Sequence, residues 1–484
     1  MKSGMRRSAL LVLALTLATS AWAQWSSDPS QNLALSNIPG ADQVQPKLLP
    51  LPNDSWYISW FNSNPNDPPP RGYDVYYQML NANGVEQLPH NGVQVAKLTN
   101  SSTEDYGLAI DGDGNAILAF LDTRRDPNNQ QITVAKMSPT GQALWGPSGV
   151  ALTIGPASHN NPKVTVTSDG NIVVGWTTDS YVALQKLHPN GIPMWAARTP
   201  FSPGVVLQES GYNYILADLH AADNGSVIAS FVRNHGFGSS NYLYANKISS
   251  TGQLMWGSGN VHVYDGGSLQ FGEFPYFKYD GNGGAVFSWY TNSPTLQSYA
   301  QHVLANGTEA FPHNGSAAAV TGSDVRVSPS VSYNPSTQET FLVWTEEDSL
   351  QSVQGISAQK FDASGNRQWT DSGKTIVPLG NDAQINPVNV QIGSGMLAAW
   401  MDQSVTGTGP INAIKLDGSG NTLCSQFAIS SVASGKSRLV ANIASSGLSA
   451  FAWEDDRNGE NDIYIQNVNA DCTLGIENTL MVRK

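Results

Sequence analysis

The sequence predicts an all-β chain of eight four-stranded antiparallel units closed into a ring, on three observations. An aromatic residue ends a short apolar run eight times, at Trp60, Phe120, Trp176, Phe231, Trp289, Trp344, Trp400 and Trp453. Their spacings of 60, 56, 55, 58, 55, 56 and 53 residues are those of one supersecondary unit per repeat. After most of these aromatics comes a turn glycine followed four residues on by Trp or another large apolar residue. Third, a segment near the N-terminus, Asn32 to Ser36, reads like the fourth strand of a unit, which the last unit lacks.

The chain begins with a basic start at Arg6 and Arg7, an apolar run from Ala9 to Ala18 and a small-x-small site at Ala21-Trp22-Ala23. Residues 1–23 therefore read as a secretory signal cleaved near Ala23/Gln24, placing the mature chain in the periplasm or outside the cell. No later stretch approaches the roughly 18 apolar residues of a membrane span, so membrane insertion is not expected. Losing Lys2, Arg6 and Arg7 takes the formal charge from −13 to −16, which disfavours nucleic acid and anionic membrane surfaces. Only 13% of residues are charged, against 46 Gly and 27 Pro, a composition of short strands and tight turns.

Unit 6 shows the pattern within one repeat. Strands are expected at Ser330–Tyr333, Glu339–Trp344, Gly355–Phe361 and Lys374–Val377, with hairpin turns at Asn334-Pro335-Ser336 and Asp362-Ala363-Ser364-Gly365. The anchor after the second turn recurs at a fixed offset: Gly141 to Trp145, Gly191 to Trp195, Gly252 to Trp256, Gly307 to Phe311, Gly365 to Trp369. Large flat rings at that place suit the space between stacked sheets. A Gln six residues before the turn glycine (Gln78, Gln185, Gln301, Gln359, with Gln466 in the same place) is expected to bridge backbone groups of neighbouring strands or blades, because a buried amide must be satisfied.

Asn32–Ser36 resembles Gly149–Thr153, the fourth strand of unit 2, and stands before unit 1 as fourth strands stand before the next unit. Pairing it with the last unit ties both chain ends together and leaves no open sheet edge. The result is a single eight-bladed β-propeller over 24–484, with repeats near 45–96, 102–153, 158–204, 212–265, 272–321, 325–379, 382–432 and 434–478. A seven-bladed ring with one irregular unit, or two open arrays, are the competing counts. The proline-rich run Asn64–Pro70 falls between strands two and three of unit 1, as a surface loop.

Cys424 takes the Trp position of unit 7 and Cys472 the turn-glycine position of unit 8. In an exported chain such a pair is most simply a disulfide clamping the last blades, with free thiols the alternative.

Ligands of such rings usually meet the face where loops two-to-three and four-to-next converge. The candidates there are Asp122, Arg124, Arg233, Glu346, Asp402, Asp455 and Arg457 as binding residues. Paired carboxylates among them would suit glycoside hydrolysis, whereas solvated loop acids are the plainer reading. His90 and His313 lie in matching Pro-His-Asn-Gly turns, and no metal helix, nucleophile elbow or phosphate loop is present. Asp111–Asn115 offers oxygens to a structural calcium but lacks the distal acid of a calcium loop, so a tight turn accounts for it and no cofactor is expected.

Trp453-x-Asp455-x-Arg457 followed by Asp462-Ile463-Tyr464-x-Gln466 is similar to the repeat of secreted bacterial β-propeller proteins, over nearly the whole mature chain. Unit 2 keeps Phe120-x-Asp122-x-Arg124, while units 1, 3, 4, 5 and 6 have lost the Asp/Arg pair. The Gly-to-Trp step is more weakly similar to the docking repeat of eight-bladed quinoprotein dehydrogenases, whose Asp precedes Gly by one residue more than Asp362 precedes Gly365. The sialidase box order is absent. The resemblance implies architecture. The expected function is a monomeric, non-catalytic binding or scaffold module for an extracellular or envelope protein or glycan, the alternative being a polysaccharide hydrolase or lyase that uses loop-face carboxylates.

Overall fold

A computed structural model describes residues 24–63, 72–97, 105–126, 128–195 and 203–476. The signal 1–23 and the loop 64–70 lie outside the described residues. The protein is a β-propeller: antiparallel sheets, six of them separate and one of seven strands. The seven-stranded sheet arises because one strand, Thr422–Ile443, is the outer strand of unit 7 and then the inner strand of unit 8. Shared in that way, the sheets among the described residues divide into eight sets, seven of four strands and one of five, whose inner strand is in two pieces. Among the described residues no helix is long and apolar enough to cross a membrane.

In unit 6 the strands run Val325–Asn334, Glu339–Glu347, Gln354–Phe361 and Lys374–Gly380, up to five residues longer at their ends than the apolar pattern alone marks. The polar ends stay in the ladder because backbone pairing does not require an apolar side chain. Leu33–Ser36 pairs antiparallel with the last strand, Asp462–Val468, matching Leu33 to Ile465 and Ala34 to Tyr464. Asn442 Nδ2 of unit 8 then donates to Leu48 O of unit 1, so the first and last blades touch.

The wedges explain how blades join. Trp145, Trp195, Trp256 and Trp369 each donate an indole N–H to a carbonyl in the next unit's turn: Pro189, Ser250, Ala305 and Gly418. The ring packs on the turn glycine of that unit, where a side-chain carbon would meet it: 2.8 Å at Gly307 against Trp256, 2.6 Å at Gly365 against Phe311. These glycines also have positive φ, 87° and 82°, so any side chain there is opposed twice. The recurring Gln fixes the wedge. Gln359 Oε1 accepts the N–H of Trp369, and Gln185 and Gln301 do the same for Trp195 and Phe311. The amide therefore ties strand three to the wedge segment of its own blade.

Of the remaining junctions, one replaces this contact and another takes its wedge from the N-terminal segment. Between units 7 and 8 the Trp-on-Gly contact is replaced by a disulfide, Cys424–Cys472, with Cα atoms 6.5 Å apart. Cys472 keeps the positive φ of the glycine position, 71°. Between units 8 and 1 the wedge is Trp25, which is buried, donates to Ala82 O and lies against Gly84. The N-terminal segment thus supplies both a strand and a wedge to the last blade.

Candidate functional site

The loop-face residues singled out from sequence are held in separate pairs within their own blades. Asp122 Oδ1 accepts the backbone and Nε donors of Arg124, both at 2.9 Å, with Oδ2 2.8 Å from Nη2. Arg233 makes a two-pronged pair with Glu209 at 2.7 and 2.8 Å and lies over the Tyr212 ring. Arg326 stands 3.2 Å from Glu346, and Asp402 accepts from Gln384 and Asn412. Asp455 is fully buried and takes Arg457, the Trp453 indole and Ser434, with Lys436 3.7 Å away. The Asp-x-Arg pairs are turn locks: the Asp accepts the Arg main chain two residues on and fixes its guanidinium. Asp111, the calcium candidate, holds Lys136 at 2.7 Å and Asn115.

Beside this hub Asp462 is pushed up to about 6, chiefly by burial, with Asp455 and Glu460 adding to the rise. A carboxyl raised in the fold stabilises it most below the unfolded value and loses that contribution as pH rises through about 4 to 6. Asp462→Asn should therefore raise stability by about 1 kcal/mol at pH 8, after allowance for solvent screening, and leave it unchanged at pH 3.5. Thermal unfolding at both pH values reads this, and an equal effect at both would contradict it.

The residues that converge lie on the inner strands, around the ring axis. Four of these strands carry a residue of positive φ just before a proline: Gln45-Pro46, Asn161-Pro162, Ser328-Pro329 and Asn386-Pro387, with φ of 58°, 50°, 51° and 50°. Unit 8 has the same backbone at Arg438 without proline. At each place the register slips, for example between Val44 and Lys47 and between Asn160 and Lys163, which marks a bulge. Proline fits there because a bulged residue owes no ladder hydrogen bond, and a bulge re-aims the side chains just beyond it. Lys47 and Lys163 stand immediately after those prolines.

Unit 5 departs from its neighbours. Its inner strand is broken into Ser268–Leu269 and Phe277–Tyr279, and residues 270–276 between them carry Tyr276 to the axis. Tyr276 donates to Asp105 Oδ2 of unit 2 at 3.0 Å, spanning the lumen. Asp105 also takes Lys47 at 2.7 Å and Lys163. Lys163 in turn lies over the Tyr276 ring, 5.1 Å from its centre. Below this knot Asp218 accepts His220 and the Phe277 N–H.

These groups line a cavity of 620 Å³ that Lys278 and Arg438 also reach. Burial alone would raise the Asp105 carboxyl, but Lys47 and Lys163 more than offset it and hold it far below the ordinary range. The Tyr276 hydroxyl is pushed far up, by burial first and then by Asp105. Burial pulls the Lys278 ammonium down while Asp218 opposes it, and the Lys278 side chain has no hydrogen-bond or ion-pair partner among the described residues. The axis thus gathers four cations, Lys47, Lys163, Lys278 and Arg438, against two lining acids, Asp105 and Asp218, in an acidic chain; Arg438 also pairs with Glu454, and Tyr276 and Lys278 face the open lumen. Among the described residues no group of three or more His, Cys, Asp or Glu is arranged to hold a metal.

None of the second-strand motifs marks this site. Its signal in the sequence is the inner-strand proline at positions 46, 162, 275, 329 and 387, which keeps to the repeat period or twice it.

No family model and no curated protein sequence matches the chain. Among solved structures it is similar to an ulvan lyase of polysaccharide lyase family PL25 (11% identity, 84% of this chain and 96% of that one, TM-score 0.46). It is also similar to the β-propeller domain of the Trilobed protease from Pyrococcus furiosus (8% identity, 82% and 97%, TM-score 0.39) and to an α-L-arabinanase from Penicillium chrysogenum (11%, 65% and 94%, TM-score 0.34). At these identities the likeness is one of fold.

Proposed function

We propose that the protein captures an acidic saccharide at the ring axis. The observation that carries this reading is the convergence of Lys47, Lys163, Lys278 and Arg438 with Tyr276 on one chamber, while the chain as a whole is strongly acidic. Ammonium and guanidinium groups gathered in one chamber favour a carboxylate or sulfate ester, and a tyrosine ring beside them offers a flat face for a sugar. A narrow axial chamber suits a small ligand or the end of a glycan chain, in contrast to a folded protein partner.

Turnover of the bound glycan is a second reading, and one observation favours it: the Tyr276 hydroxyl, bonded to the Asp105 carboxylate with the Lys163 ammonium over its ring, keeps its proton and is placed at the chamber wall as a proton donor to a leaving oxygen. The loop-face carboxylates are a weaker source of such chemistry, because Asp122 and Asp455 already hold bound cations.

Titration calorimetry with glucuronate oligomers and neutral glucose oligomers of equal length tests the binding reading. Only the acidic series is expected to bind, and more weakly as salt rises. Lys278→Gln, which breaks no pair in the fold, should weaken binding about tenfold. Equal binding of the neutral series, or no effect of Lys278→Gln, would remove the support for the axial site. Release of new reducing or unsaturated ends in the same mixtures would favour turnover.

A further inference from the structure

A second cavity, of 440 Å³, lies on the other side of Tyr276, against the inner strands of units 5 to 8. The two differ in charge: Lys47, Asp105, Lys163 and Asp218 line only the first, while Leu439 and Val440 line both. Phe274, Pro329, Pro387, Val388, Leu439 and Val440 supply mostly apolar surface. Glu273, its one acid, is pushed far up by burial, so the carboxyl there favours its uncharged form and accepts the Tyr290 N–H. Tyr276, Lys278 and Arg438 line both cavities. Tyr276 is therefore a partition: its hydroxyl is fixed to Asp105 on one side of the lumen, and its backbone belongs to the broken strand of unit 5 on the other.

We infer that the two cavities are subsites for one ligand, the cationic chamber taking the acidic sugar and the second chamber an apolar substituent attached to it, such as an aryl or acyl group. This rests on the acidic-saccharide reading above and deepens it. Continuity between the chambers identifies the occupant: a group that enters the second chamber from the axis passes Lys278 and Arg438, so its other end lies within reach of the cations. The apolar walls gain from an apolar group that sheds its hydration there, and a charged group would have to lose its own. The break in the repeat supports a built site: between the two pieces of the inner strand, Gln270 and Glu273 still bond the Tyr290 backbone, and the segment beyond them carries Tyr276 across the lumen to Asp105.

The full-length protein is titrated with methyl β-D-glucuronide, p-nitrophenyl β-D-glucuronide and p-nitrophenyl β-D-glucoside. The aryl glucuronide is expected to bind about tenfold tighter than the methyl glucuronide, by burial of the ring. Val388→Phe, which fills the second chamber, should bring that ratio towards one. A wild-type ratio near one overturns the second subsite and leaves the acidic reading standing, so the inference is testable even if the variant fails to fold. A ratio preserved in a folded Val388→Phe variant also overturns the assignment. Aryl glucoside binding as tightly as aryl glucuronide overturns the acidic reading beneath it, and no binding of any of the three overturns both.

Discussion

Trp25→Ala is expected to cost about 3 to 5 kcal/mol of folding stability, the range for removing a buried aromatic side chain. Trp25 is 3% exposed, its indole N–H is bonded to Ala82 O, and its ring fills the space over Gly84 that a side chain on Gly84 would occupy. The effect is magnified by position. Each blade is held by its neighbours, so a ring opened at one junction loses contacts at both chain ends together. Urea unfolding followed by tryptophan fluorescence measures it, with Trp145→Ala as the comparison. Trp145 serves an internal junction and is partly exposed, so the loss there should be smaller. A Trp25 variant no less stable than the Trp145 variant would mean that the closure does not depend on this wedge.

Asp455→Ala is expected to cost a similar 3 to 5 kcal/mol, for a different reason. Asp455 is 0% exposed and answers two cations, Arg457 at 2.5 Å and Lys436 at 3.7 Å. Removing it leaves both enclosed without a counter-charge, and the penalty is that of stranded charge more than of lost contact. The Lys436 ammonium is already pulled down to about 8, by burial first, with Asp455 opposing the fall. Lys436→Met in the Asp455→Ala background should recover part of the loss. Asp122→Ala, whose Arg124 is about a quarter exposed and can rehydrate, should cost less. Equal costs at the two sites, measured by denaturant unfolding, would refute the stranded-charge account.

The repeat aromatics and wedge offsets are legible because each serves the same packing in every blade. Trp176, Trp289 and Trp344 are buried in matching places, and the Gly-to-Trp step is a ring on the next blade's turn. The recurring Gln is legible as a satisfied amide that bridges backbone groups, mostly within its own blade, with Gln359 also donating to Ala318 O of the preceding blade. Trp25 is not, since it stands eight residues before the strand at Leu33, while Trp145 stands five before Val150. The Cys pair is offset in sequence, and the wedge geometry removes the offset, because Trp on one blade meets Gly on the next.

The axial chamber is hidden for a physical reason. Lys47, Asp105, Lys163 and Tyr276 belong to four different units, and although the prolines before Lys47 and Lys163 mark bulges, nothing in the sequence says which groups of other units those lysines meet. The loop-face acids and arginines, conversely, are conspicuous as motifs because short-range pairs such as Asp455 and Arg457 leave a fixed spacing.

Sequence by itself determined what repeats: strand period, turn chemistry, wedge positions and the strand that closes the ring, all set by local conformational preference and burial. Tertiary structure alone decided which non-repeating side chains meet at the axis. Charges brought together from units far apart in the chain interact through space, and the distances between them follow from the curvature of the closed ring and the direction each bulge gives its side chains, which a repeat period does not specify.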